Sequence, residues 1–312
     1  MKRWLPLILI LTLLCGCGPG EETLDTENAV TFTDALGRRV SVCNPKRVAA
    51  LLGSFADVWM LAGGSLVAAA EDAWEDFGLE LDDAVNLGGA HSPSLERLLS
   101  ADPDFVIASS ATAGNVQLLE TLEAAGIAVA FFDVDDFDSY LHMLDICTDI
   151  TGRKELYDQN GLQLQARIRE IKELYAKENI PEPQRKILLI RAAASVIKAK
   201  GSSGTILGEM LSDLGCVNIA DSDHALLENL SIEAVMRQQP YHIFVVTMGS
   251  DPEKAKTALE TMFRENPAWS TLEAMQAGRI HYMDKTLFNL KPNDRWAEAY
   301  EILYETLTNE KT

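Results

Sequence analysis

His91, His142, His224, His242 and His281 are the five imidazoles of this 312-residue chain, and their spacing bears on whether it holds a bare metal ion. Zinc and manganese sites gather three or four His, Asp or Glu ligands, often at short fixed separations. These five are scattered and no His-rich loop accompanies them, so no metal-ligand set is assigned. His91, before Ser92-Pro93 in a loop, stays a ligand-contact candidate; His142 falls in a helical pattern, and His242 and His281 flank apolar strands, where packing is expected. Cys43, Cys147 and Cys216 lack paired spacings and read as buried small hydrophobic residues. Two arginines suit anion recognition, because a guanidinium offers bidentate hydrogen bonds. Arg191 directly follows the apolar run 187–190, and Arg295 opens the last helix, where a local salt bridge is the competing role. Trp74 stands in an acidic loop after a strand, placed either to stack on a planar ligand or to pack on the rim of its own lobe. Phe55, Ser109 and Met248 follow other apolar runs and complete the set of binding candidates. A Gly-x-Ser-x-Gly elbow, a P-loop and a Gly-x-Gly-x-x-Gly turn are all absent, so no catalytic residue is assigned and no enzyme activity is expected. The run Gly201-Ser202-Ser203-Gly204-Thr205 lacks the P-loop lysine and reads as a hinge or cleft loop.

The elements that position these residues read as α/β. After a hairpin over 30–42, short apolar runs at 48–52, 66–70, 105–108 and 128–132 have the continuous hydrophobicity of buried parallel strands. Helical segments at 55–62, 94–100 and 115–125 alternate with them. The same grammar resumes at Lys186, with strands at 187–190, 243–246 and 280–283 and helices at 205–214, 231–238, 269–276 and 294–307. Ser94-Leu95-Glu96 through Pro103-Asp104-Phe105 aligns with Ser231-Ile232-Glu233 through Pro240-Tyr241-His242 without a gap, at an offset of 137. Each copy predicts a helix with a Ser N-cap, an acid in its first turn, a proline stop and a buried strand, which points to internal duplication. Between the halves, Leu164, Ile168, Ile171 and Tyr175 mark one face of a long helix. In open α/β lobes the loops beyond the strands' carboxyl ends hold ligands, and Phe55, Trp74, Ser109, Arg191 and Met248 fall in such loops.

Charge and the N-terminus narrow the setting. With 27 basic and 47 acidic residues the formal charge is −20, a poor match to a phosphate backbone, so nucleic acid is not an expected partner. Lys2 and Arg3 precede an apolar run over 4–14, the pattern of an export signal. Leu14-Cys15-Gly16-Cys17 resembles a bacterial lipobox, which implies cleavage before Cys17, acylation of that residue and attachment to the membrane by the lipid alone. The expected organisation is a signal peptide over 1–16, a lipidated tether over 17–29, an N-terminal α/β lobe over 30–150, an interlobe helix over 151–180 and a C-terminal α/β lobe over 181–312.

Several further segments carry a resemblance: Thr33-Asp34-Ala35-Leu36-Gly37-Arg38, Asn44-Pro45-Lys46-Arg47-Val48, Gly208-Glu209-Met210-Leu211, Pro267-Ala268-Trp269 and Lys291-Pro292-Asn293-Asp294-Arg295. In order and at these separations, together with the duplicated segments, the chain resembles the ABC-transporter substrate-binding proteins that serve iron–siderophore, haem and cobalamin importers. That resemblance implies two Rossmann-like α/β lobes joined by a single long helix, the class III periplasmic-binding-protein arrangement, and a monomer. It implies capture of a metal chelate, an iron–siderophore first and haem or cobalamin as alternatives, with delivery to an ABC permease dimer and its ATPase. Glu96 and Glu233 match the family's permease-docking acids, beside their smaller role at helix N-termini. Arg191 and Arg295 would pair with an anionic siderophore or a haem propionate, and His91 with haem iron. A bare zinc or manganese ion, or a sensor or adhesin lipoprotein, are the more distant readings. No covalent cofactor beyond the lipid is implied.

Overall fold

A computed structural model describes residues 29–249 and 251–309. Cys17, the signal and most of the tether lie outside the described residues. The chain opens with an antiparallel hairpin, β1 (Val30–Thr33) and β2 (Arg39–Val42), whose turn is held by Asp34: its carboxylate accepts from the backbone N–H of Leu36 and Arg38 and pairs with the Arg38 guanidinium at 2.6 Å.

Two sheets follow. β3 (Val48–Ala50), β4 (Ala68–Ala69), β5 (Val85–Asn86), β6 (Phe105–Ser109) and β7 (Ala128–Phe132) form a parallel sheet in the order β5-β4-β3-β6-β7. All five residues of β6 are buried, as expected of a parallel strand covered on both faces. The second sheet contains β8 (Lys186–Ala192), β9 (Ile197–Lys200), β10 (Val217–Asn218), β11 (His242–Thr247) and β12 (Ile280–Met283). Its order is β10-β8-β11-β12, all parallel, while β9 folds back antiparallel on the later half of β8. The chain therefore has the two-lobe α/β architecture that the alternation of elements predicts.

The expected interlobe helix is present with an irregularity. Gly152, in the left-handed region at φ 71°, ends the helix Phe137–Thr151, and the next helix starts at Lys154, passes through a π-turn over Asp158–Leu162 and continues as Gln163–Lys177. Ile168, Ile171 and Tyr175 are buried along it, and Leu164 packs partly against the same core. The final helix, Trp296–Thr308, packs along Gln163–Lys177, so two helices line the hinge. Its first residue, Trp296, meets Phe137 and Tyr140 of the first lobe at ring distances of 5.8 and 6.4 Å. One hydrophobic core thus runs from Phe55 and Phe105 through Ile171 and Trp296 to Ile187 and Phe244.

Some local expectations change. The expected helix over 115–125 is two short helices, Ala113–Val116 and Leu119–Ala124, separated by a turn at Gln117 and Leu118. The region 269–276 is a 3-10 turn, Pro267–Thr271, and a short helix, Glu273–Gln276. A helix over Pro252–Glu265, N-capped by Asp251 and with Pro252 in its first turn, was not anticipated. Cys147 and Cys216 are buried as expected, but Cys43 is exposed, a correction that follows from its place just past the end of β2.

Candidate functional site

The carboxyl ends of the parallel strands in both lobes supply the loops that bear the candidate residues. In the first lobe, the turn after β3 and the short helix after β4 abut closely. A Cβ on Gly53 would lie 2.5 Å from the Ala73 backbone nitrogen and 2.6 Å from the Asp72 carbonyl carbon, so only glycine fits there. That contact sets the helix Asp72–Glu75, which carries half-buried Trp74. Trp74 rests partly on the core shared by the two lobes, so packing accounts for part of its surface. Asp72 beside it is half-buried, and one of its carboxylate oxygens is buried without a hydrogen-bond partner. Burial raises its pKa, an effect opposed by backbone hydrogen bonds and by nearby His91.

His91 is exposed, and its loop is tied down by a residue that the sequence reading missed. Asn115, 1% exposed, accepts from the Ser109 backbone N–H at 3.1 Å and donates to the Ala90 carbonyl at 3.0 Å, joining the loops after β5 and β6. A Cβ on Gly114 would fall 2.0 Å from the His91 carbonyl oxygen, so that approach also requires glycine. Nothing in the spacing of Asn115 distinguishes it from an ordinary helical asparagine; only its inward orientation shows the role.

Two candidates move into the interior. Phe55 is 1% exposed and packs edge-on against Phe132 at 6.3 Å, because it lies on the inward face of the helix Gly53–Leu61. Ser109 is 4% exposed at the end of fully buried β6. Both are corrections: these side chains serve the core. Arg295 is exposed, and its guanidinium pairs with Glu298 through two hydrogen bonds of 2.7 Å, the local ion pair that competed with ligand contact. Met248 is half-buried just beyond β11, its N–H donating to the Ala192 carbonyl at 2.8 Å.

Arg191 stands out by its neighbours. It occupies the end of β8 on the face that carries Ile187 and Leu189 toward the shared interlobe core, whereas Leu188 and Ile190 point into the second lobe's own core. Across the antiparallel pair it lies directly opposite Lys198, with Lys200 two residues further along the same face. Like charges placed directly opposite destabilise a strand pair by several tenths of a kcal/mol. Among the described residues no side chain forms an ion pair with Arg191, Lys198 or Lys200. Burial, then the neighbouring Arg191 and Lys198, lower the pKa of Lys200, and burial lowers that of Arg191. Lys291 reaches the group from the segment that returns to the first lobe. Burial lowers its pKa, Asp133 and Asp135 beyond β7 raise it, and Arg191 lowers it. The expectation of an anion-binding Arg191 thus acquires three lysines. Lys198 and Lys200 show in the sequence the period-2 spacing of one strand face, and Lys291 belongs to a segment that carries the resemblance.

Two polar contacts bridge the lobes. Lys285 pairs with Asp76 at 2.7 and 2.9 Å, and Asn293 donates to the Ser54 carbonyl at 2.9 Å and to Asp57 at 2.7 Å. A cavity of about 720 Å³ lies elsewhere, on the hinge flank between Asp136, Lys172, Glu209 and Tyr300. Its wall is already cross-linked by Asp213, which accepts from Lys172 and Tyr300. Among the described residues no group of three or more His, Cys, Asp or Glu could hold a metal ion. His242 and His281 do meet, ring nitrogens 2.9 Å apart, but at the amino ends of β11 and β12, away from this site. No described helix is long and apolar enough to cross a membrane.

Glu96 and Glu233 are exposed in the first turns of the helices Leu95–Ser100 and Ile232–Gln238, N-capped by Ser94 and Ser231, whose side chains each accept a backbone N–H at 3.4 Å. Glu233 is held below the usual carboxylate range by its own backbone N–H and the Ser231 hydroxyl. The duplication extends past the helices: Asp102 and Gln239, also 137 apart, both adopt left-handed backbone at φ 49° and 48° before buried β6 and β11.

The chain is similar along nearly its whole length to YhfQ of Bacillus subtilis (strain 168), assigned by name to the ABC transporter substrate-binding lipoproteins, at 24% identity covering 94% of this chain and 92% of YhfQ. The Fe(3+)-citrate-binding protein YfmC of the same organism is 23% identical, covering 89% of this chain and 87% of YfmC. In fold it matches the crystal structure of Staphylococcus aureus SirA complexed with staphyloferrin B, with a TM-score of 0.70 at 20% identity over 91% of this chain and all of that one. The family model described as periplasmic binding protein matches residues 48–287, which include both sheets and the helix between them; the chain belongs to the periplasmic binding protein family.

Proposed function

We propose that this protein is the substrate-binding component of an ABC importer, without catalytic turnover, and that it captures an anionic metal chelate of the iron–siderophore type between its lobes. The observation that carries the ligand class is the gathering of Arg191, Lys198 and Lys200 on one strand pair, within electrostatic reach of Lys291, in a chain with a net charge of −20. Like charges held together without ion-pair partners gain most from a ligand that brings negative charge, and a guanidinium suits a carboxylate. Asp133 and Asp135 offset only part of that charge. Trp74, His91 and Met248 complete the candidate rim, with the lobes spanning about 30–150 and 181–312 around the helix of 151–180. Acylation at Cys17 would hold the protein as a monomer on the outer face of the cell membrane, where Glu96 and Glu233 would meet the permease dimer. The relatives named for ferric citrate and staphyloferrin B support a ferric chelate over a bare ion.

Titration of the purified domain with ferric citrate, a ferric carboxylate siderophore, haem and cobalamin, followed by tryptophan fluorescence, tests this reading. Saturable quenching by a ferric carboxylate chelate is expected. Binding of cobalamin or haem alone would replace the ligand class, and silence toward all four would overturn the chelate reading.

A further inference from the structure

Eight large hydrophobic side chains are notably exposed among the described residues, and two of them, Leu99 and Met236, are 137 positions apart. No other pair among the eight has that separation. Each is 39% exposed and each lies three residues after an exposed glutamate, Glu96 or Glu233, on the corresponding helix of its lobe. Residues three apart on a helix are surface neighbours. The preceding residues, Leu98 and Val235, are fully buried and anchor the two helices in their lobes, which fixes Leu99 and Met236 outward. The cations on the same helices are directed back toward the protein: Arg97 donates to the Asn86 carbonyl at 3.0 Å, and Arg237 reaches Asp223 at 3.5 Å. Each lobe therefore presents a carboxylate beside an apolar knob.

We propose that Leu99 and Met236 are matched apolar contacts through which the two lobes seat on the permease dimer, one beside each docking glutamate. This rests on the delivery role proposed above. A single exposed leucine is ordinary on a protein surface. A matched pair in equivalent positions of a duplicated chain fits a partner that is itself two-fold, each half offering a basic site flanked by apolar surface. The two components divide the work. The glutamates steer the encounter and lose strength in salt, whereas the apolar contacts resist dissociation and do not.

The test is docking of the ligand-free lipoprotein to its host's permease–ATPase complex in nanodiscs, by biolayer interferometry at 0.15 and 0.5 M NaCl. The Leu99→Ser/Met236→Ser variant is expected to lose about tenfold in affinity at both salt concentrations, with chelate binding unchanged. The exchange Leu99→Met/Met236→Leu is expected to dock like the parent, which separates loss of contact from loss of fold. Docking of the serine variant at parental affinity, while Glu96→Lys/Glu233→Lys fails, would overturn the apolar contacts and leave the delivery reading standing. Loss of docking in the exchange variant would also overturn them. Parental docking by the lysine variant would overturn the docking role of the glutamates themselves.

Discussion

Arg191 faces Lys198 across a strand pair, and this placement defines the site more sharply than any motif does. Its position after an apolar run was legible, because strand ends in α/β lobes carry ligand contacts. Its pairing with Lys198 was not, since β9 returns antiparallel within a lobe whose other strands are parallel. Phe55 and Ser109 were misjudged for a related reason: a position after a strand does not say whether the side chain turns toward the cleft or the core. His242 was read correctly as a packing residue. Burial, then His281 and Arg279, hold its pKa down to about 3 from 6.5. Below 6.5 the unfolded chain takes up a proton that the folded one refuses, so this contribution to stability is intact above pH 6.5 and is lost as pH falls toward 3. Urea melts between pH 7 and 4 are expected to show His242→Phe with a flatter acid limb than the parent, by up to about 1 kcal/mol per pH unit. Parallel limbs would contradict the assignment.

The duplicated helix–strand units were the most legible elements. Ser94 and Ser231 cap as expected, and the equivalence reaches the backbone conformation of Asp102 and Gln239, which no residue type announces. Helix interruptions were least legible: the segment 115–125 divides at a turn over Gln117 and Leu118, and a π-turn at Asp158–Leu162 precedes the apolar face that marks the interlobe helix. Close approach between elements is equally hidden in a sequence, and Gly53 illustrates its cost. Gly53→Ala would drive a methyl into the backbone of Asp72 and Ala73. The expected loss is about 1–3 kcal/mol of stability, with weakened chelate binding because the Trp74 helix must shift. Thermal melts that leave the variant at the parental midpoint would contradict this packing.

At the scale of the whole molecule, the two lobes share one core along a pair of helices, so their relative motion is constrained by packing as well as by Lys285–Asp76 and Asn293–Asp57. The long interlobe helix was apparent from its apolar face; the second helix beside it was not, because chain order alone assigns Trp296–Thr308 to the later lobe. The net charge of −20 gains a spatial meaning, since Arg191, Lys198 and Lys200 gather on one strand pair of a predominantly acidic protein. That contrast makes selection of an anionic chelate the central claim. The measurement that tests it most directly is calorimetric titration of a ferric carboxylate chelate into the parent and the Arg191→Met/Lys291→Met variant at 0.05 and 0.5 M NaCl. Binding at least tenfold weaker by the variant is expected at low salt, with a smaller difference at high salt. Equal affinity of the two proteins at low salt would contradict it.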